Sequence, residues 1–196
     1  MTTTPPAYTP PLAKGYQPGV PTWLDKHAPR SSYDADEAIR RALRLAIETK
    51  SASDLTLERI KRIMGIEMEI RTENHLNNRS GWYWLTPNWL LVANYMPPEP
   101  PRREGTSFIL KFQYDQTHWA DMPDRAELCA NRQMDVAAAE KILLDKGFVL
   151  KRKPDTRFND RWAYYQEGAA SVRIYSFGDG PLGNKHVCIR KIEVSI

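Results

Sequence analysis

Residues 81–86 read Gly-Trp-Tyr-Trp-Leu-Thr, and residues 161–166 read Arg-Trp-Ala-Tyr-Tyr-Gln. Each is a short aromatic run of the kind that fills a half-buried strand. The same order of signals surrounds both. Ahead of Trp82 lies a helical stretch that opens at Asp54 and stops at Gly65, then a strand-like run at 66–72 (IEMEIRT). Ahead of Trp162 lies a helical stretch capped by Asp135 that runs to Lys146 and meets Gly147, then a strand-like run at 148–153 (FVLKRK). Downstream, 89–96 (WLLVANYM) and 107–114 (SFILKFQY) are answered by 170–177 (ASVRIYSF) and 186–195 (HVCIRKIEVS). The hairpin loops differ only in their turn residues: Pro-Pro-Glu-Pro-Pro at 97–101, and Gly178, Gly180, Pro181 and Gly183 in the second copy. The pattern predicts an α+β fold. It is a tandem duplication of a helix-helix-four-stranded antiparallel sheet unit, with the helices on one face of each sheet.

The first helix of the first copy is expected over 34–50, with Asp34 or Asp36 as cap and an apolar stripe of Ala35, Ile39, Ala42, Leu43, Ala46 and Ile47. The second, over 54–64, turns Leu57, Ile60, Ile63 and Met64 inward. The counterpart of the first helix falls at 123–132. In the last strand the apolar alternation changes phase between Ile189 and Ile192, which predicts a bulge near Arg190-Lys191. Residues 1–33 are rich in proline and threonine and read as an arm or tether, because proline fixes φ and donates no hydrogen bond. The domains are therefore the arm at 1–33, a first repeat at 34–118 and a second at 119–196.

The 196 residues are 41% hydrophobic and 27% charged, enough apolar material for a core. No apolar run reaches the roughly 18 residues a membrane-spanning helix needs. The net charge of +4 is uneven: +2 over 1–30, −2 over 31–130 and +4 over 131–196. No phosphate-binding loop, zinc spacing or nucleophile elbow occurs. His27, His75, His118 and His186 have no second ligand at helical or hairpin spacing, so no metal and no cofactor is expected. Asp155, Asp160 and Glu167 read as solvated loop charges. The expectation is a binding protein and not an enzyme.

Two short helices cover one face of a four-stranded sheet, and the other face remains. In β-alternation Trp82 and Trp84 share one side, with Tyr83 and Leu85 on the other. Val172 and Ile174 oppose Arg173, Tyr175 and Phe177. The surface expected to meet a partner carries Trp82, Trp84, Trp162, Tyr164, Arg173 and Tyr175, since Trp, Tyr and Arg dominate interface hot spots. Tandem helix-helix-sheet units with such aromatic pairs resemble the beta-lactamase inhibitor protein family and, more broadly, periplasmic immunity proteins of lipoprotein type. That resemblance implies a steric inhibitor of a bacterial toxin enzyme, acting in the cell envelope after removal of a leader, with a precursor of the lipid-anchored type. Cys129 and Cys188 either form one disulfide or are two buried thiols; a bridge requires the helix carrying Cys129 to dip toward the sheet. A structural envelope lipoprotein is one rival reading and a nucleic-acid platform the other. Against the platform stand Glu67, Glu69 and Glu73 on the first strand, where a phosphate-tracking sheet needs cations.

Overall fold

The computed structural model describes residues 28–70, 78–86, 89–100, 105–114, 129, 133–152, 162–177 and 188–196. Residues 1–27 of the expected arm, the expected helix over 123–132 apart from Cys129, and the boundary between the repeats at 118/119 lie outside the described residues. Three helices are described: α1 (Ala35–Glu48), α2 (Leu57–Met64) and α3 (Val136–Asp145). Eight strands accompany them: β1 (Glu69–Ile70), β2 (Arg79–Trp84), β3 (Trp89–Met96), β4 (Ser107–Tyr114), β5 (Val149–Arg152), β6 (Trp162–Glu167), β7 (Ala170–Ser176) and β8 (Ile189–Ser195). The fold is α+β.

Caps set the helix starts. The Asp34 carboxylate accepts the Glu37 N–H at 2.8 Å, and Asp135 accepts that of Ala138 at 2.8 Å. Asp54, expected to cap α2, does not. It closes a capping box with Ser51 on a 3-10 turn over Ala52–Asp54, and Thr56 caps α2 instead. The local reason is Leu55, buried between the two turns, which separates the 3-10 turn from the helix. At Gly65 α2 stops in the left-handed region, φ 65°, donating its N–H to the Lys61 carbonyl. A Cβ there would also stand 2.6 Å from Arg41 Nη1, which donates to the Met64 carbonyl at 3.0 Å.

All eight strands form one sheet in the order β1-β2-β3-β4-β8-β7-β6-β5, every described pairing antiparallel. Each half is a meander, and the last strands of the two halves meet at a central seam running from Ser107↔Ser195 to Lys111↔Lys191. The bulge falls where the phase change placed it. Tyr175 pairs with Lys191 and Ser176 with Ile189, so Arg190 is the extra residue and both Ile189 and Ile192 reach the core.

The sheet alternates between two environments. Leu91 and Ala93, Phe108, Leu110 and Phe112, Ile192 and Val194, Val172 and Ile174, and Ala163 and Tyr165 join the helices in one core. The apolar face of α1 is wider than the expected stripe, adding Ala38 and Leu45. This helix lies against β7 and β8, strands of the opposite half, as well as against α2 and α3. It therefore covers the seam region and ties the two halves together.

Two features depart from the strand expectations. The first strand starts later than expected: the Tyr83 hydroxyl engages the main chain of Glu67, accepting its N–H at 2.6 Å and donating to its carbonyl at 2.7 Å. Ladder pairing with β2 resumes only at Glu69 and Ile70. Phe177, expected beside Tyr175, instead joins the helix-side core and meets the Trp89 ring edge-on at 5.6 Å. The end of the proline-rich segment is docked. Ser31 donates to the Trp84 carbonyl at 2.8 Å and Trp84 donates to the Pro29 carbonyl at 2.9 Å, extending the sheet along the β2 edge.

The cysteines are bonded. Cys129 and Cys188 have Cα atoms 5.8 Å apart, well inside the bridging limit. Beside them Asp135 forms an isolated antiparallel bridge with Cys188, so the N-cap of α3 is fastened to the head of β8. Asp135 is 8% exposed. Asp135→Ala should cost about 1–2 kcal/mol in urea unfolding, the loss of a buried cap; an unchanged midpoint would show that the disulfide alone holds this corner.

Candidate functional site

The candidate site is the sheet face turned away from the helices, and strand register determines its membership. One transverse row runs Trp82, Val92, Lys111, Lys191, Tyr175, Trp162 across six strands. The next runs Ser80, Asn94, Ile109, Glu193, Arg173, Tyr164. All six residues nominated from sequence thus hold positions on this one face, Trp84 among them beside Leu90.

They are not equivalent. Trp84 is 2% exposed and forms a second small core with Leu90 and Val92, against which Ala28 and Trp82 pack. It supports that corner of the face and has no surface to offer a partner, so the expectation of direct contact is corrected for this residue. The docked end of the arm, through Ala28, is part of what buries it. Trp82, Tyr164, Arg173 and Tyr175 are half-buried. Trp162 is placed here by its backbone pairing with Tyr175.

Glu193 organises the centre. Its carboxylate accepts from Arg173 Nη1 at 3.2 Å, from the Tyr175 hydroxyl at 3.3 Å and from Lys191 Nζ at 3.4 Å. Lys191 Nζ also stands 3.6 Å from the Tyr175 ring centroid, and the Arg173 guanidinium lies 5.8 Å from that of Tyr164. These contacts restrain three side chains of β7 and β8, which lowers the ordering cost of binding.

Lys111 completes the centre from β4. It donates to Gln113 Oε1 at 3.0 Å and faces Lys191 directly across the seam. Burial, with Arg190 and Lys191 nearby, holds its ammonium below the usual lysine pKa. Continued onto the edge strands, the second row gains Glu69 beside Ser80 and Arg152 beside Tyr164, so among the described residues of the two rows four cations (Lys111, Lys191, Arg173, Arg152) stand against two carboxylates (Glu193, Glu69). The face is basic and aromatic.

Sequence reasoning missed Lys111, Lys191 and Glu193. Their alternation against Leu110, Ile192 and Val194 was visible in each strand. What was not visible was that β4 and β8 are neighbours, which alone brings these charges together. Glu167, read as a solvated loop charge, is half-buried and pairs with Lys50 at 2.7 Å. The four histidine positions, Asp155 and Asp160 lie outside the described residues. Among the described residues no cluster of three or more His, Cys, Asp or Glu side chains is placed to hold a metal ion, and no helix is long and apolar enough to cross a membrane. No protein-family model, no curated protein and no solved structure matches the chain.

Proposed function

We propose that this protein binds another protein through the helix-free face of its sheet and blocks it sterically, as an immunity protein neutralising a toxin enzyme of the bacterial cell envelope. One observation carries the reading: Trp82, Trp162, Tyr164, Arg173 and Tyr175, chosen from sequence for their chemistry, fall on one face of one sheet. Aromatic and arginine side chains held in place supply contact area at small entropic cost. The excess of cations over carboxylates in the two rows favours an acidic partner surface. The Cys129–Cys188 bridge suits an oxidising compartment such as the periplasm.

The strand order supports a tandem duplication of the helix-helix-sheet unit. Each half is a four-strand meander preceded by a helix, and a glycine at positive φ, Gly65 or Gly147, leads from that helix toward the meander. The two copies would then be related across the β4–β8 seam. The resemblance to tandem-repeat inhibitors rests on this architecture.

Single-stranded nucleic acid is a second ligand for a basic, aromatic sheet. The ring geometry favours a protein, because one face of Tyr175 and one of Tyr164 already carry a cation where a base would stack. The decisive experiment is affinity capture with the full chain from lysates of bacteria carrying envelope-acting toxin enzymes, followed by quantitative binding to the captured enzyme with its inhibition as readout. Tyr164→Ala and Tyr175→Ala should each weaken binding by about 2 kcal/mol while circular dichroism stays unchanged. Unaltered affinity in both variants, or tight binding of an oligonucleotide lost in the same variants, would overturn the reading.

A further inference from the structure

On the opposite side of the molecule, between α1 and α2, a cavity of about 260 Å³ is lined by Glu37, Arg40, Arg41, Arg44, Arg62 and Ile63. Four of its six lining residues are arginines. The helices explain the clustering. Arg40, Arg41 and Arg44 occupy adjacent turns of α1, and Arg62 comes from α2, which packs beside it.

The arginines differ in how far they are already committed. Arg41 is fixed at the floor. Its Nε donates to Glu37 at 2.8 Å, its Nη1 to the Met64 carbonyl at 3.0 Å, and its guanidinium lies 4.4 Å from the Tyr33 ring centroid. Gly65 makes that reach possible, since a Cβ would stand 2.6 Å from Nη1. Arg44 turns along its own helix to Glu48 at 2.7 Å. Among the described residues, Arg40 has one carboxylate contact, a long 3.8 Å to the same Glu37 that Arg41 engages. Arg62 is exposed and is engaged by neither of those carboxylates. One carboxylate in the lining therefore serves two guanidinium groups, and the cavity keeps an excess of positive charge with planar donors on both walls.

We propose that this cavity is an anion site that takes a phosphate group, with Arg40 and Arg62 as its movable donors and Arg41 as its fixed floor. Guanidinium groups recognise phosphate oxygens by paired, charge-assisted hydrogen bonds, which ammonium groups cannot reproduce. The volume of about 260 Å³ admits a phosphate or pyrophosphate group. A free phosphorylated small molecule and a phospholipid headgroup share that chemistry. The site is independent of the protein-binding face, which lies across the sheet.

The test uses the full chain, with inorganic pyrophosphate in one arm and phosphatidylcholine vesicles containing phosphatidic acid in the other. Binding is followed by calorimetry and by the arginine Nε–H signals in NMR. Saturable one-to-one pyrophosphate binding, weakened at least tenfold in Arg40→Gln/Arg62→Gln, supports a soluble ligand. Vesicle binding that is lost in the same variant while pyrophosphate stays silent supports a headgroup. Both substituted side chains lie at the surface, so the variant should keep the wild-type unfolding midpoint. Lys141→Gln on α3, which removes a surface cation outside the cavity lining, serves as a control and should change nothing. The proposal is overturned if neither probe binds. Equal weakening in the Lys141→Gln control, or wild-type affinity in Arg40→Gln/Arg62→Gln, overturns it as well.

Discussion

Phe108→Ala is expected to lower the unfolding free energy by about 3–5 kcal/mol, the range for truncating a fully buried aromatic residue. Phe108 is 0% exposed and sits in β4, paired with Tyr95 on one side and with Val194 across the seam on the other. Its side chain lies in the core shared by both halves, with Leu110 and Ile192 one step along the strands. Removing the ring opens a cavity at the junction where neither half can collapse without moving the other. Urea unfolding, followed in parallel by circular dichroism and tryptophan fluorescence, should show one coincident transition shifted to lower denaturant. A change under 1 kcal/mol would contradict a core shared across the seam. Two separate transitions in the parent protein would contradict it more directly, by showing that the halves unfold alone.

Breaking the Cys129–Cys188 bond should have an effect of similar size. The bond spans a sequence separation of 59 residues. In the chain-entropy account a loop of that length removes about 4 kcal/mol of freedom from the unfolded state, with native-state strain reducing the measured value. The structural consequence is local. The bridge and the Asp135–Cys188 pairing fasten the start of α3 to the head of β8, next to the Arg190 bulge. The Cys129→Ser/Cys188→Ser variant, or reduction with dithiothreitol, should lower the urea midpoint. It should release amide protection first in Val136–Asp145. Identical midpoints for oxidised and reduced protein would mean that the bridge adds nothing to stability. Uniform loss of protection would mean that it braces the whole sheet.

Much of the local structure was legible because its causes are local. Asp34 and Asp135 are caps because a short carboxylate reaches the third N–H of a helix beginning beside it. Gly65 is a stop because few other residues accept a positive φ. Trp82-Tyr83-Trp84 alternates as a strand does, and Ile189 and Ile192 betrayed the bulge by being out of phase. Errors arose where two local solutions competed. Asp54 and Thr56 both precede a helical run with capping geometry, and burial of Leu55 decided in favour of Thr56. The Tyr83 hydroxyl, a long-range partner for the Glu67 main chain, delayed the start of a strand whose own residues gave no sign of it.

The sequence alone located the described helices and most strands, and most of the side chains that share a strand face, because these follow from caps, breakers and a period of two; the start of α2, the start of β1 and the side taken by Phe177 escaped it. It could not determine which strands become neighbours. Only the tertiary structure joined β4 to β8, and with that pairing Lys111, Lys191, Glu193 and Arg173 became one charged centre flanked by aromatic side chains. Only the tertiary structure sank Trp84 beneath its neighbours and laid α1 across strands of the opposite half. These outcomes turn on contacts between segments far apart in the chain. Such contacts are chosen by how well whole surfaces pack, a property that no window of residues contains.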